Sequence, residues 1–576
     1  MPRFVGPVSL LLLAAIVSPV VAAPVDDVLH LVPPNTAVCF VVRDLRGHSA
    51  QLAESPFAEW FRKSELGKSV LASDGVSKLL AAEKAVTTQL GMSIEELRND
   101  VFGDVIVLAY QPGRGTTGEG ESGVVLLKAR KPDTLATFVR KFDEAQKKSG
   151  ELNEVREKRH LELPYFEREK SNGHKEYYFT RDDGVFAYSA QESAIQRVLT
   201  MDDRVRSRDG IPKRVFTGMP KTLGTEAAAV QALFNPRRFD DELAAKTRTT
   251  TDPNEKAFLT QFGKVWAATN AVGVSLTLDR HAELAVNLAF DANRLPAEWK
   301  VLTQPSAGST ALWSVIPDDA LFAVAGRFDL TKTADAVKAM MSDEAIAGAK
   351  KTTAETVAPI LGRDTLPKLI AGIGPDFALW LTRPDKSGDA VLPTATFALR
   401  VRRAGTTDTS VGDSLVSGLD TVAHLFRLAY NKDHEDQFTF GDEKHDSGPV
   451  KVLKNPTALP AGVSPAYGLR GEFLVIASHP SGVTGFMSPK ADAKVDTAPF
   501  LRISAKTLTA YLQQNETQIG TIVGGWTNEK PATVSKGIRE FTTLLEMGDR
   551  IELRHTGGDN RMKLSLHVEM IQPLKK

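Results

Sequence analysis

"LVPPNTAVCFVVRDL", residues Leu31 to Leu45, returns in altered form as "VIPDDALFAVAGRFDL", residues Val315 to Leu330. Each copy runs from a prolyl turn through an apolar strand to an Asp-Leu exit. Four further pairs follow in the same order. "VFGDVIVLAY" from Val101 stands against "GIGPDFALWLT" from Gly372. "VVLLKARKPDTLATFVRKF" from Val124 stands against "TFALRVRRAGTTDTSVGDSLVSGL" from Thr396, each a strand leading into a helix. "GVFAYSAQESAIQRVL" from Gly184 pairs with "GEFLVIASHPSGVTGFM" from Gly471. Each half closes on a hairpin, "GVSLTLDRHAELAVNLAF" from Gly273 and "RIELRHTGGDNRMKLSLHVEM" from Arg550. Similar segments in one order, here at offsets near 270 to 290, are the mark of a repeat architecture. The expectation is a tandem duplication, with lobes at residues 23–292 and 311–576. Residues 293–310 form the linker, where Pro296, Pro305 and Gly308 break regular structure.

Within each half the periodicity is mixed. Leu135, Phe138, Val139 and Phe142 fall at helical spacing, and Asp133 is placed to cap the start. Leu415, Leu419, Val422 and Phe426 play the same part in the second half. Between such helices lie alternating runs, "HLELPYFERE" and "EYYFTRDDGVFAYS" in the first half and "LSLHVEM" in the second, which predict hairpins. Consecutive paired strands give antiparallel sheet, and the helices cover a face of it. The fold class expected is α+β, two similar lobes of mostly antiparallel sheet.

The N-terminus predicts the compartment. "MPRFVGPVSLLLLAAIVSPVVAAPVDD" places Arg3 before an apolar core from Val8 to about Val17, followed by small residues. That is the layout of a secretory signal peptide at residues 1–22. Cleavage after Ala22 puts Val20 and Ala22 at the small-residue positions, whereas cleavage after Ala23 sets Pro24 beside the cut. The rival reading is an uncleaved anchor, although the apolar run is shorter than the roughly 20 residues of a spanning helix. The expected localisation is therefore secreted or periplasmic, with no membrane span in the mature chain.

Composition fits a folded, exported protein. Hydrophobic residues make up 42% and charged residues 25%, and 71 basic residues balance 71 acidic ones. No overall charge draws the chain to nucleic acid or anionic lipid. Length alone predicts roughly three to four domains, each needing its own core. The single cysteine, Cys39, excludes an intramolecular disulfide, and its place in "AVCFVV" predicts a small buried hydrophobe.

The phrases "LVPPNTAVCFVVRDL" and "LAESPFAEWFRKSELG" resemble the opening of large secreted bacterial families of unknown function. In those families a prolyl turn and strand open a long α+β unit, followed by a Ser-Pro-Phe helix. The resemblance covers the start of the first half and, more weakly, that of the second. It implies architecture and brings no activity or catalytic residue.

The chemical motifs fail on context. "GRGTTGEGESG", Gly113 to Gly123, has the glycine content of a phosphate loop, but "VIVLAY" precedes it and "VVLLKA" follows. A phosphate loop must lead into a helix; Glu119 and Glu121 add the wrong charge. "GKS", Gly67 to Ser69, lacks the earlier glycine of a P-loop, with Arg62 in its place. "NKDHEDQFTFGDEKHDSG", Asn431 to Gly448, gathers His434, His445, Asp433, Glu435, Asp436, Asp442, Glu443 and Asp446. Were its two arms paired as a hairpin, these side chains would converge on a divalent metal; a solvated acidic tip is the competing reading. "RVRSRDGIPKR", Arg204 to Arg214, lacks the interleaved aromatics of a nucleic-acid patch, and Asn515 opens an Asn-Glu-Thr acceptor. The chain shows no zinc-protease, nucleophile-elbow or Cys-x-x-Cys signature. No catalytic, cofactor-binding or metal residue is assigned from sequence. The expectation is a non-catalytic binding or structural protein of the envelope, partnered by an envelope protein. The alternatives are a periplasmic carrier of an apolar ligand held between sheet and helices, and a hydrolase built from distant Asp, Glu and His.

Overall fold

Pro33 and Pro317 turn the chain in the same manner. The Thr36 amide donates to the Pro33 carbonyl at 3.1 Å, and the Ala320 amide to the Pro317 carbonyl at 3.1 Å. The next residue opens the strand, Ala37 donating to Tyr110 at 2.9 Å and Leu321 to Leu381 at 2.8 Å. At each exit an Asp closes the strand and caps a helix. Gly47 N–H donates to Asp44 Oδ1 at 3.0 Å, and Lys332 N–H to Asp329 Oδ1 at 3.1 Å.

The computed structural model describes residues 24–74, 84, 87–113, 120–207, 215–278, 281–297, 299–300, 310–327, 329–356, 371–384, 390–401, 411–446, 448–489, 498–546, 548–558 and 560–570. The expected leader at residues 1–22 lies outside them, as do 208–214 of the basic stretch and 301–309 of the linker. Two compact units form. The first comprises Met1–Ser49, Lys78–Lys221 and Ala229–Leu233, the second Ala50–Ser77, Thr222–Ala228 and Phe234–Lys576.

In the first unit the strands are β1 (Val38–Arg43), β2 (Val105–Gln111), β3 (Ser122–Lys128), β4 (Leu152–His160), β5 (Leu163–Lys170), β6 (Lys175–Thr180), β7 (Val185–Ser189) and β8 (Val230–Phe234). They lie in the order β8-β1-β2-β3-β7-β6-β5-β4. In the second unit they are β9 (Thr269–Leu278), β10 (His281–Phe290), β11 (Phe322–Arg327), β12 (Ile373–Thr382), β13 (Thr394–Val401), β14 (Thr439–Glu443), β15 (Val450–Lys454), β16 (Ala466–Arg470), β17 (Phe473–Ala477), β18 (Leu501–Ile503), β19 (Gly548–Gly558) and β20 (Arg561–Met570). Their order is β9-β10-β20-β19-β18-β11-β12-β13-β17-β16-β15-β14, every pair antiparallel. The run from β18 to β14 takes its strands in the same sequence as the first unit's run from β8 to β4. The first hairpin, β9–β10, belongs to the second unit rather than closing the first, because β10 bonds to β20 along nine residue pairs.

The helices that matter below are α1 (Pro24–Leu29), α2 (Glu65–Leu71), α3 (Pro132–Ser149), α4 (Glu192–Ser207), α5 (Pro253–Ala268), α6 (Val411–Asp433), α7 (Pro480–Thr484), α8 (Ala505–Gln514), α9 (Glu516–Thr527) and α10 (Pro531–Leu545). The α+β class holds, with helices against both faces of the first unit's sheet. On β5, Tyr165 donates to Glu192 of α4 at 2.7 Å, while Arg168 donates to Asp143 of α3 at 2.9 Å. Three residues apart on a strand, the two side chains leave opposite faces. Asp133 does not cap α3: Lys131 holds that position without a side-chain bond and Pro132 occupies the first turn. Proline preorganises that turn, and Asp133 within it complements the positive end of the helix.

Period-two alternation builds the cores. Cys39 and Val41 of β1, with Val105, Val107 and Ala109 of β2, are fully or nearly buried, and α1 packs on β2 and β3. In the second unit a column of alanines, Ala323, Ala325, Ala378, Ala398 and Ala477, leaves room for Trp313, Trp380 and Phe486. Hairpin turns take glycine where backbone geometry demands it. Gly184 has φ +89°, and a Cβ there would come within 2.8 Å of the Ala129 carbonyl; Gly471, at φ +59°, opens the matching turn before β17.

Two outcomes follow. Removing the cap in Asp329→Ala should lower stability by about 1 kcal/mol in chemical denaturation. Burial pushes the Cys39 thiol well above its ordinary pKa, so a thiol reagent should leave the native protein unlabelled at mildly alkaline pH and label it fully in denaturant. Rapid native labelling would contradict that burial.

Candidate functional site

The sequence motifs do not assemble into a reactive centre. The glycine-rich stretch joins β2 to β3, strand to strand, and its residues 114–119 lie outside the described residues. Gly67 to Ser69 sit within α2, whose N-cap Ser64 accepts from the Gly67 amide. The acidic–histidine stretch is not a hairpin with paired arms. Residues 431–433 finish α6, and the hairpin proper is β14 with β15. Three of its carboxylates are engaged: Asp442 with Lys451 at 2.7 Å, Glu443 with Lys454 at 2.5 Å, and Asp436 with the Tyr430 hydroxyl at 3.1 Å. His434 stacks on Tyr430 at 3.8 Å, while His445 lies 3.5 Å from Glu443. Among the described residues no group of three His, Cys, Asp or Glu side chains is placed to hold a metal ion. Asn515 lies between α8 and α9, its amide donating to the Tyr511 carbonyl at 2.8 Å.

The feature that stands out is the face of β9-β10-β20-β19. The registers Leu276↔Leu284, Leu284↔Leu566 and Leu566↔Leu553 set four leucines in one row across four strands. Directly opposed residues on neighbouring strands share a face. The next row is Val274, Val286, Leu564 and His555. This aliphatic face is the exposed one: Leu284 is 50% accessible and Leu566 and Val286 40%, with Leu564 close behind.

The reverse face is polar and buried. Ser275, Asn287, Ser565 and Glu552 all lie within it. Several polar groups find partners there, although Asn287 Oδ1 has none among the described residues. Asn287 donates to Ser275 at 2.9 Å, Lys563 to Glu283 at 2.6 Å and Arg554 to Glu552 at 2.6 Å. His281 and His567 stack at 4.1 Å, and burial beside Arg554 keeps the His567 pKa below its ordinary value. Such a hairpin inverts the usual arrangement of apolar inside and polar outside.

A second apolar feature lies in the same unit. A cleft of about 900 Å³ is lined by Leu321, Leu381, Leu508, Tyr511, Val523 and Phe541, from the β11–β12 region and helices α8, α9 and α10. The alternation in "GVSLTLDRHAELAVNLAF" already puts Val274, Leu276, Leu284 and Val286 on one face. Which face meets water is set by what packs on the other, and no local pattern carries that information.

Among the described residues no helix is long and apolar enough to cross a membrane. No family model matches the chain, and no curated protein matches it. The chain has a faint likeness to crystal forms I and IV of TP0453. Identity is 12% and 11%, covering 46% and 48% of this chain and 79% and 83% of TP0453, with a TM-score of 0.22 in both cases. At that score the likeness carries no argument about fold or function.

Because Asp442 and Glu443 are paired with lysines and no three of its described ligand-type side chains converge, the 431–448 stretch should not respond to metal. Millimolar zinc or calcium should leave the thermal midpoint unchanged. His434→Ala with His445→Ala should shift stability by no more than about 0.5 kcal/mol, as for ordinary surface positions. A metal-induced rise in the midpoint that this double variant removes would overturn the assignment.

Proposed function

We propose that the chain is an exported, non-catalytic protein that binds the acyl chains of a lipid-like ligand on the leucine row of β9-β10-β20-β19. The observation that carries this reading is the exposed aliphatic face backed by a buried polar one. Contiguous apolar patches on a soluble surface mark binding sites. Four strands about 4.8 Å apart and three rows about 7 Å apart, the third of Leu278, Ala282, Val568 and Ile551, give a patch on the order of 300 Å². A stable protein partner buries roughly 800 Å² a side, so the patch suits a ligand chain better than an envelope protein or a second copy. No carboxylate, ammonium or guanidinium stands on the face among its described residues. The 900 Å³ cleft offers the same ligand a second apolar lining.

Export rests on the leader pattern, with the mature chain starting at Ala23. Descent of the two units from one duplicated α+β unit is supported by their common strand order and by the paired prolyl turns and Asp caps.

The test uses protein secreted through its own leader and purified without detergent. Native mass spectrometry should find co-purified lipid and a mature N-terminus at Ala23; a chain beginning at Met1 would restore the uncleaved anchor. An NBD-labelled dodecanoic acid should bind saturably. Leu284→Glu combined with Leu566→Glu should weaken it about tenfold or more, since each leucine loses its apolar contact. Both sites are exposed, so the circular dichroism melt should change little. Absence of both lipid and saturable uptake, or uptake indifferent to the two substitutions, would overturn the reading.

A further inference from the structure

In the first unit, α3 stands over the sheet with its apolar stripe facing a line of rings. The registers Phe166↔Tyr178 and Tyr178↔Tyr188 place these side chains on one face of β5, β6 and β7. Phe166 and Tyr178 stack with centroids 4.9 Å apart, and Tyr178 and Phe186 at 6.0 Å. On the helix side Phe138 and Phe142 stack at 6.0 Å, and Phe102 meets Phe138 edge-on at 5.9 Å. Each wall is thus internally stacked. Among the described residues no ring of the helix wall stacks on a ring of the sheet wall. Between them lies a cavity of about 330 Å³.

Its composition and charge narrow the occupant. Aromatic residues are 7% of the chain, yet Phe102, Phe138, Phe142, Tyr178, Phe186 and Tyr188 all line this one cavity. Rings prefer offset or edge-on partners at centroid distances of about 4.5–7 Å, so a flat ring between the walls would find partners on both sides. One end is polar. Arg168, only 3% exposed, donates from Nε to Asp143 at 2.9 Å and from its other nitrogens to Glu176 and Gln146. Its guanidinium lies 5.0 Å over the Phe142 ring. Lys170 pairs with Glu176, and the Tyr178 hydroxyl donates to Asp143 at 3.4 Å. Two cations face two carboxylates, so the end is electrically balanced. A charged ligand would leave a buried charge without a partner, at high cost. Burial holds the Tyr178 and Tyr188 pKa values above the ordinary range, which keeps both hydroxyls as donors.

We infer that this cavity takes a planar, uncharged aromatic molecule of one or two rings, bearing one hydrogen-bonding group that sits at the Arg168 end. The volume is near the lower limit of small-molecule sites, about 300 Å³, which sets the ring number. This site shares no residue with the leucine row, so either reading stands without the other.

The experiment is calorimetric titration of the full secreted chain with β-naphthol, β-naphthoate and decanol at neutral pH. β-Naphthol should bind at one site per chain, and β-naphthoate at least tenfold more weakly. Phe142→Leu should weaken β-naphthol about threefold to tenfold, the worth of one ring pair. Val139→Trp grows a side chain into the cavity and should abolish binding while the melt is preserved. Leu284→Glu should leave β-naphthol binding intact, which separates this site from acyl binding. No saturable β-naphthol binding, binding untouched by Val139→Trp, or β-naphthoate binding as tightly as β-naphthol would overturn the inference. Displacement of β-naphthol by decanol at lower concentration would reassign the cavity to an alkyl chain.

Discussion

The ladder between β10 and β20 is the interaction on which the second unit depends. Nine opposed pairs, from His281↔Glu569 to Ala289↔Arg561, hold the β9–β10 hairpin in the sheet that β19 and β20 also enter. Register in an antiparallel pair decides which side chains share a face, and a slip of one residue would exchange the two faces. Here it aligns four leucines across four strands and sends the serines, Asn287 and the Glu283–Lys563 pair to the other side. A bulge between Ala289 and Phe290 shifts the β9–β10 register just before its last pair, Phe290↔Thr269. Beyond it Phe290 turns into a small core with Ala268 and Leu295, against which Trp299 packs.

The inverted hairpin has a clear energetic logic. Buried polar groups are costly unless paired, and most of those on the hidden face are paired with one another. Cross-strand bonds from Asn287 and Lys563, and the Arg554–Glu552 pair along β19, engage most of that face from within, while among the described residues Asn287 Oδ1 and His567 Nδ1 stay without a hydrogen bond. The aliphatic side therefore remains the part of the hairpin with apolar surface still to bury. The first unit solves a different problem with the same elements. Its helix α3 is tied to the sheet through the Arg168 ion cluster, and the aromatic side chains on each wall stack within their own wall. The result is an aromatic cleft between helix and sheet where the second unit has an open face.

Much of this was legible along the chain. The prolyl turn, the alternating strand and the capping Asp are local devices: backbone sterics, period-two side-chain direction and a carboxylate accepting an amide need no distant partner. They predict β1 and β11, the buried Cys39, the β6–β7 hairpin, and the α+β class. The strand-to-strand setting of the glycine-rich stretch was visible in the same way, since β2 and β3 are both continuous apolar runs. At two places a neighbour within a few residues overrode the local reading. Pro132 took the first helical turn that Asp133 was expected to cap, and α6 ran on through Asp433 to consume one arm of the expected acidic hairpin.

What sequence determined, then, is each element and the two faces it presents, because both follow from spacing along one strand or helix. Tertiary structure alone decided which faces meet. Leu276, Leu284, Leu553 and Leu566 are spread over some 290 residues, and only the β10–β20 and β19–β20 registers set them in a row. Arg168 and Asp143 sit on different elements, and only the approach of α3 to β5 makes them a buried pair beside six rings. Solvent exposure is likewise a property of the packed whole. The same alternation serves a strand whose apolar side is buried and one whose apolar side is open, since the pattern records two faces and says nothing of what covers them.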